Sequence, residues 1–211
     1  MKPNLRKLFA YCEAHTTPHS ELLHQLDRET HLKTLAPQML SGHLQGRLLS
    51  WLSRMQQPEY ILEIGTFTGY AALCLAEGLQ AQGQLHTIEA NEELEYLIRK
   101  YFQQSAYNDR LHLHIGDAKT IIPQLQLPFD MVFVDAGKMD YAQYYDMVIE
   151  QVRPGGLILA DNVLWDGKVI QPVNDPDTEV IRAFNTKVQN DERVENILLP
   201  IRDGLIIARK L

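Results

Sequence analysis

The chain has 211 residues, a net charge of −7 and 45% hydrophobic residues. This length favours one domain over residues 1–211, with a helical section at 1–55 and an α/β core at 56–211. The basic residues form no long run, which disfavours a nucleic-acid partner, and no apolar run approaches membrane-spanning length. Because Cys12 and Cys74 form no close pair and the start lacks a secretory apolar stretch, we expect a cytoplasmic protein without disulfides.

The N-terminal section predicts three helices. Residues 4–15 and 19–33 form the first two, with Ser20 as a suitable N-cap of the second. Residues 36–55 form the third, whose apolar stripe is Leu44, Leu48, Leu49 and Leu52. Pro37 and Gly42 make its start irregular. This section is expected to cover the site, to form a dimer face or to fill the core, and a leucine stripe alone favours the last.

Residues 60–70 predict a nucleotide-binding unit. Residues 60–64 are a β-branched, mostly apolar run typical of a buried parallel strand. Gly65 and Gly69 bracket a tight turn, and residues 71–79 predict the helix that follows. The spacing G-x-x-x-G differs from the dinucleotide fingerprint G-x-G-x-x-G, so this motif alone fits a turn in any α/β protein equally well.

The next strand, residues 84–90, adds a carboxylate at its end. Glu89 lies about 20 positions after the glycine turn, where an acidic residue can accept hydrogen bonds from ribose hydroxyls. The alternative is that Glu89 is only a charge beside the N-terminus of the next helix, which Asn91 can cap.

The alternation of helices and strands continues to the C-terminus. Helices are predicted at 92–107, at 141–152 and from Asp175-Pro176, and strands at 110–116, 129–136, 157–162, 196–201 and 205–209. Residues 202–204 join the last two strands in a hairpin. Residues 153–156 end the helix predicted at 141–152. The pattern predicts a doubly wound α/β fold with seven mostly parallel strands and helices on both faces. His112 and His114 share a face of one strand, where packed or surface histidines are favoured over metal ligands.

Oxygen-bearing side chains follow two of the predicted strands. Asp135 ends the fourth strand, and Asp161 and Asn162 end the fifth. Ligands collect beyond the carboxyl ends of strands in open α/β sheets, and this all-oxygen set suits Mg²⁺, Mn²⁺ or Ca²⁺ better than zinc. Each residue alone also fits a simple strand end. Lys138 is either a solvated loop lysine or a base, since nearby positive charge disfavours its ammonium form.

Four stretches together resemble the cation-dependent O-methyltransferases, the relatives of the caffeoyl-CoA and catechol O-methyltransferases. They are residues 63–70, 134–138 with Tyr141, 155–156 and 161–165, and the resemblance, to a bacterial-type member, runs from about Met39 to the C-terminus. It implies a seven-stranded sheet of order 3-2-1-4-5-7-6, S-adenosylmethionine (SAM) as cofactor, a divalent cation and a homodimer.

The resemblance also implies roles for individual residues. Met39 and Ser41 would lie near the methionine end of the cofactor, Glu89 would hold the ribose, and Asp117 and Ala118 would flank the adenine. The full cofactor set is Met39, Ser41, Glu63, Gly65, Thr66, Phe67, Gly69, Ala71, Glu89, Asp117, Ala118, Asp135 and Tyr144. The implied metal ligands are Asp135, Asp161 and Asn162. The implied catalytic residues are Lys138, as the base, and Asp135.

The implied activity is SAM- and cation-dependent methylation of a hydroxyl on a catechol-like small molecule. A cation that chelates two adjacent hydroxyls would orient them and acidify one of them. One alternative is a tRNA hydroxyuridine O-methyltransferase of the same family, which a basic patch beside the site would favour. A nicotinamide-dependent oxidoreductase is disfavoured by the missing third glycine. A non-catalytic cofactor-binding protein is disfavoured because every metal and base residue is retained.

Several positions depart from the family pattern. Many members have Ser in place of Ala71, which removes one hydroxyl contact to the cofactor. Plant enzymes have Asp in place of Gly137 and Asn in place of Asp166, so their acyl-CoA substrate does not transfer directly. Ile197 falls near the position of the catechol enzyme's substrate-binding glutamate, so catechol itself is not specifically supported.

Overall fold

The computed structural model describes residues 5–172 and 175–211. Residue 4 of the first predicted helix lies outside this part. Within it, the chain forms eight α-helices: α1 Leu5–Ala14, α2 Glu21–Lys33, α3 Gly42–Gln56, α4 Tyr70–Ala76, α5 Glu95–Gln104, α6 Ala118–Leu125, α7 Tyr141–Ile149 and α8 Pro176–Gln189. The described strands are β1 Tyr60–Ile64, β2 Gln84–Glu89, β3 Leu111–Ile115, β4 Phe129–Val134, β5 Val152–Asp161, β6 Val194–Leu199 and β7 Leu205–Lys210.

The seven strands form one sheet of order β3-β2-β1-β4-β5-β7-β6. The first five in that order run parallel, and β7 is antiparallel to both β5 and β6. The predicted fold class and strand order are therefore confirmed. Because β1 lies beside both β2 and β4, the strand order reverses at β1, and Ile64 pairs with Val134. This places the loops after β1 and β4 side by side at the edge where such sheets bind ligands.

The sheet carries one apolar cluster on each face. Alternate residues of a strand point to opposite faces, so Val132 belongs to the cluster shared with α7 and α8, and Phe133 belongs to the other. The second cluster also contains Leu26 of α2 and Leu49 of α3, both fully buried. Each leucine buried in this way contributes roughly 1.5–3 kcal/mol. The N-terminal helices therefore fill the core on this face of the sheet.

The main differences from the sequence-based prediction are at β5, at the end of α7 and at α6; in addition, α3 begins at Gly42 and not at residue 36. Strand β5 begins at Val152 and runs through residues 153–156, which were expected to end a helix; that helix ends at Ile149. Strand β5 can include Gly155 and Gly156 because its pairing with β4 shifts register at this point, between Phe129 and Met131. Helix α6 was not predicted; it contains Pro123, a residue that usually interrupts helices. Asp117 caps it by accepting a hydrogen bond from the backbone N–H of Lys119 at 2.9 Å.

None of the helices in the described part of the chain combines the length and the apolar character that crossing a bilayer requires.

Candidate active site

The glycine turn after β1 lies directly against the end of β4. Gly65 has φ +94°, and a Cβ there would lie 2.0 Å from the backbone oxygen of Asp135. No side chain fits this gap, and φ in this range strains any residue other than glycine. Gly69 has φ +91° and lies against the ring of Phe102. Gly65 is therefore explained by close packing of the two loops, and Gly69 by its positive φ and its packing against α5.

Glu89 holds this turn from the end of β2. Its Oε2 accepts a hydrogen bond from Phe67 N at 2.7 Å, and its Oε1 accepts one from Asn91 N at 2.9 Å. Asn91 in turn accepts from Glu93 N, so it caps the following turn as expected. Each carboxylate oxygen can accept two hydrogen bonds, so Glu89 keeps free acceptor capacity where it lines the cleft. The position suits the predicted ribose contact.

Glu63 lies beneath the surface of the cleft and contacts the turn through other side chains. Its side chain is fully buried, and its Oε2 accepts from the Thr87 hydroxyl at 2.5 Å. Thr87 is 2.5 Å from the Thr66 hydroxyl, so these side chains connect β1 and β2 to the turn. Burial raises the pKa of Glu63 well above its ordinary value. Glu63 therefore acts through Thr87 and Thr66 on the shape of the turn.

A cluster of oxygen atoms surrounds Lys138 at the ends of β4 and β5. Its Nζ lies 3.3 Å from Asp135 Oδ1 and 2.8 Å from Asn162 Oδ1, and it also donates to the Tyr141 hydroxyl. The Tyr141 hydroxyl lies 3.2 Å from Val134 O and 3.1 Å from Asp161 O, its acceptors at the two strand ends. The short turn from Lys138 into α7 therefore brings lysine and tyrosine together over neighbouring strands.

Burial controls the protonation of this cluster. It raises the pKa of Asp135 to about 6; Lys138 opposes the rise and Asp161 reinforces it. Burial also raises the pKa of Tyr141 well above its ordinary value, so its hydroxyl stays protonated. At neutral pH the cluster therefore combines the Asp135 carboxylate with neutral hydroxyl and amide groups.

The donor set is suited to a hard divalent cation. It consists of two carboxylates, Asp135 and Asp161, and the amide oxygen of Asn162, whose backbone is left-handed at φ +58°. Oxygen ligands of this kind suit Mg²⁺, Mn²⁺ and Ca²⁺. Among the described residues, no group of three or more His, Cys, Asp and Glu side chains is arranged to hold a metal ion. A cation bound here would therefore need the Asn162 oxygen in addition to the two carboxylates. Its remaining ligands would come from the bound substrate or from water.

The glycine turn and the oxygen cluster open into one cleft of about 1230 Å³. All the predicted site residues line it except Glu63, which is buried, and Gly69, which packs on Phe102. Met39 lies at its rim with 59% of its surface exposed, and Ser41 is buried beside it. Asp117, Ala118 and Tyr144 line the cleft as well. The structure thus brings together residues that lie more than 120 positions apart in the chain.

Sequence reasoning missed two residues of this site. Gln45 donates its amide N–H to Asp161 Oδ2 at 2.7 Å, although its position in a leucine-rich helix gives no sign of a polar role. Arg202, in the hairpin loop between β6 and β7, lines the cleft and donates to Ser41 O. The loop was predicted, but its contact with the N-terminal section was not. Both contacts join distant parts of the chain, so spacing along the sequence cannot reveal them.

The family model for O-methyltransferases matches residues 13–211. The chain belongs to the O-methyltransferase family. A caffeoyl-CoA O-methyltransferase 1 of Eucalyptus globulus is 33% identical over 179 residues, covering 79% of this chain and 73% of that protein. A catechol O-methyltransferase of Niastella koreensis is 33% identical over 174 residues, covering 78% of this chain and 79% of that protein.

The fold of this O-methyltransferase is also similar to that of a solved structure. The crystal structure of the O-methyltransferase from Bacillus cereus in complex with SAH is 30% identical, with a TM-score of 0.88 and 96% of each chain covered. The predicted resemblance to the caffeoyl-CoA and catechol O-methyltransferases is confirmed. Membership of this family removes the nicotinamide-dependent oxidoreductase as an interpretation.

Proposed function

We propose that this O-methyltransferase uses SAM and a divalent cation to methylate one hydroxyl of a catechol-like small molecule. The observation that carries the proposal is that the glycine turn and the oxygen cluster meet in one cleft, with Gly65 packed against the backbone of Asp135. The Bacillus cereus relative was crystallised with SAH, and two relatives are named for catechol and caffeoyl-CoA. These names support the cofactor and the acceptor class.

The cofactor would lie along the loops after β1 and β2. Glu89 would accept hydrogen bonds from the ribose hydroxyls, and Asp117 and Ala118 would flank the adenine. Met39 and Ser41, on the segment between α2 and α3, would close over the methionine end. The methyl donor would then lie beside the oxygen cluster, since Gly65 and Asp135 lie in adjacent loops.

Asp135, Asp161 and Asn162 would hold the divalent cation. When bound, SAM supplies an activated methyl group on a sulfonium, and the cation supplies Lewis acidity and orientation to two adjacent hydroxyls. Asp161 is 1% exposed, so its carboxylate is shielded from bulk water. A dry site strengthens these electrostatic interactions.

Lys138 would take the proton of the reacting hydroxyl. For this step its Nζ must be unprotonated, and it becomes an ammonium as the hydroxyl becomes an alkoxide or phenolate. Asp135 Oδ1, Asn162 Oδ1 and the Tyr141 oxygen surround Nζ and would stabilise this ammonium. The ammonium form can donate to all three oxygens at once, whereas the neutral amine has two N–H groups and so keeps two of these hydrogen bonds before the acceptor binds.

The acceptor class is tested by comparing catechol, phenol and tRNA as substrates with SAM and Mg²⁺. Among the described residues, seven acidic and four basic residues line the cleft, which favours a small molecule over a polyanion. We expect methylation of catechol and little of phenol, because only adjacent hydroxyls chelate a cation. Equal turnover of phenol would contradict the proposed chelation, and methylation of tRNA alone would assign the enzyme to an RNA acceptor.

The cation ligands are tested by Asp161→Ala, with Asp166→Ala as a matched control. Asp166 follows in the same loop and is exposed; its hydrogen bond to Asp203 uses the backbone N–H that alanine keeps. We expect Asp161→Ala to remove activity and leave SAH affinity nearly unchanged, and the control to retain activity. Full turnover of Asp161→Ala would show that the carboxylate is structural.

A further inference from the structure

A fully buried glutamine contacts the carboxylate at the end of β5. Gln45 lies on α3, has no exposed surface and donates from Nε2 to Asp161 Oδ2 at 2.7 Å. Its helix neighbours Leu49 and Gly46 are buried in an apolar environment. Burying an amide there is costly unless its hydrogen bonds are satisfied, and a leucine or methionine would avoid the cost. The contact with Asp161 therefore needs an explanation beyond core packing.

The orientation of the Gln45 amide is fixed by its two neighbours. Its Nε2 faces a carboxylate, which only accepts hydrogen bonds, and its Oε1 lies 3.5 Å from an Arg202 nitrogen, which only donates. Arg202 also donates to the backbone oxygens of Ser41 and Gln38. Gln45 thus joins the Asp161 carboxylate to the segment that carries Met39 and Ser41.

Both oxygens of Asp161 are engaged by donors from the chain. Oδ1 accepts from Asn162 N at 2.8 Å, and Oδ2 accepts from Gln45. One donor lies at the end of the strand and the other on a helix of the N-terminal section, so together they fix the plane of the carboxylate. Each oxygen still has a second acceptor position, and the plane decides where these positions point.

We propose that Gln45 is a positioning residue that holds the Asp161 carboxylate in the orientation required to bind the divalent cation. This inference rests on the cation dependence proposed above. Groups that hydrogen-bond to metal ligands orient them, and their loss typically weakens metal binding. Gln45 acts through Asp161 and has no role in proton transfer.

Two variants and one control test the inference. Gln45→Met keeps the length and volume of the side chain and removes the donor, and Gln45→Glu replaces the donor with an acceptor that faces Asp161. Ser53→Ala is the matched control, because Ser53 is fully buried on the same helix and donates to Leu75 O at 2.6 Å, away from the cluster. It removes one buried hydrogen bond without touching Asp161.

The measurement is Mn²⁺ binding by electron paramagnetic resonance, made without acceptor and with SAH at saturation. SAH affinity and the thermal midpoint are measured on the same samples. We expect Mn²⁺ to bind roughly 10- to 100-fold more weakly to both Gln45 variants than to the unmodified chain. We expect the Ser53→Ala control to keep its Mn²⁺ affinity, and SAH affinity to stay within twofold throughout.

Three results would overturn the inference, and they differ from one another. Unchanged Mn²⁺ affinity in the Gln45 variants would show that the contact with Asp161 is only structural. An equal loss in Ser53→Ala would assign the effect to the stability of α3. Absence of Mn²⁺ binding by the unmodified chain would remove the proposed cation dependence itself, and the inference with it.

Discussion

At the scale of single residues, Lys138 is the group on which the proposed proton transfer depends. Lys138→Ala is expected to lower kcat by roughly 10²–10⁴-fold, the usual contribution of one general base, with little change in SAH affinity. The rate of the variant should recover as the pH rises, because hydroxide or a pre-ionised acceptor then replaces the base. Profiles of kcat against pH, at saturating cofactor and Mg²⁺, measure both effects.

Lys138→Arg distinguishes a base from a positive charge. A guanidinium can donate to the oxygens of Asp135 and Asn162, but it stays protonated at all relevant pH values and cannot accept the proton. We expect this variant to be as slow as Lys138→Ala near neutral pH. An arginine variant as active as the unmodified enzyme would leave Lys138 a purely electrostatic role.

Glu89 is the residue whose loss should affect the cofactor most. Glu89→Ala is expected to weaken SAH binding by roughly 1–3 kcal/mol, or about 5- to 150-fold in Kd, the cost of lost hydrogen bonds to a charged group. Part of this loss would come from Phe67 and Asn91, whose backbone N–H groups lose their acceptor. Calorimetry measures the change, with the nearby Glu92→Ala as control. Equal Kd values for the two variants would remove Glu89 from the cofactor site.

At the scale of elements, the turn after β1 is expected to depend on glycine at position 65. Gly65→Ala should destabilise the chain by more than about 1–2 kcal/mol, the cost of the left-handed conformation alone, because its Cβ would also meet Asp135 O. Gly137→Ala is the matched control in the neighbouring loop, since Gly137 has φ −59° and nothing within 4 Å of its Cβ position. Urea unfolding compares them, and equal midpoints would contradict the close packing.

The histidines of β2 and β3, at the edge of the sheet, are expected to make the folded chain less stable in acid. His86 of β2 stacks on His112 and His114 of β3 at centroid distances of 4.7 and 5.3 Å, so these are packed histidines, as expected. Burial, and then the neighbouring histidines, lower the pKa of His86 to about 4, and burial also lowers that of His114. The unfolded chain therefore binds more protons than the folded chain as the pH falls from about 6.5 towards 4.

The stability that these histidines contribute when neutral is present above about pH 6.5 and is lost as the pH falls through the folded pKa. His86→Gln keeps a polar side chain without this titration. We expect the urea midpoint of the unmodified chain to fall further between pH 7.5 and pH 5 than that of the variant. Parallel pH curves for the two proteins would contradict the neutral cluster.

The elements also show what the sequence could and could not predict. Strand β1 was predicted with both ends correct, because a β-branched run followed by glycine has few alternatives. Helix α6 was missed. Pro123 suggests a break in a helix, but the helix forms all the same, with Asp117 as its N-cap. The places of Asp135 and Asp161 beside the cleft follow from the ends of their strands. Gln45 was not foreseen, because its partner is 116 positions away in the chain.

At the scale of the whole molecule, the N-terminal section is joined to the methyltransferase sheet by polar contacts as well as by apolar packing. The Thr30 hydroxyl of α2 donates to Thr68 in the glycine turn at 3.0 Å, and both residues are fully buried. His19 lies 2.9 Å from the Tyr70 hydroxyl at the start of α4. Filling the core is therefore supported, and because Met39, Leu40 and Ser41 line the cleft, covering the site is supported as well.

We have proposed that the cofactor turn and the oxygen cluster act on one acceptor. The decisive measurement is transfer of a labelled methyl group from SAM to catechol by the purified chain, after chelator treatment and again after addition of Mg²⁺. We expect no transfer in the chelator and full transfer when Mg²⁺ is restored. Full transfer in the chelator, or none under any condition with acceptors that bear adjacent hydroxyls, would contradict the claim.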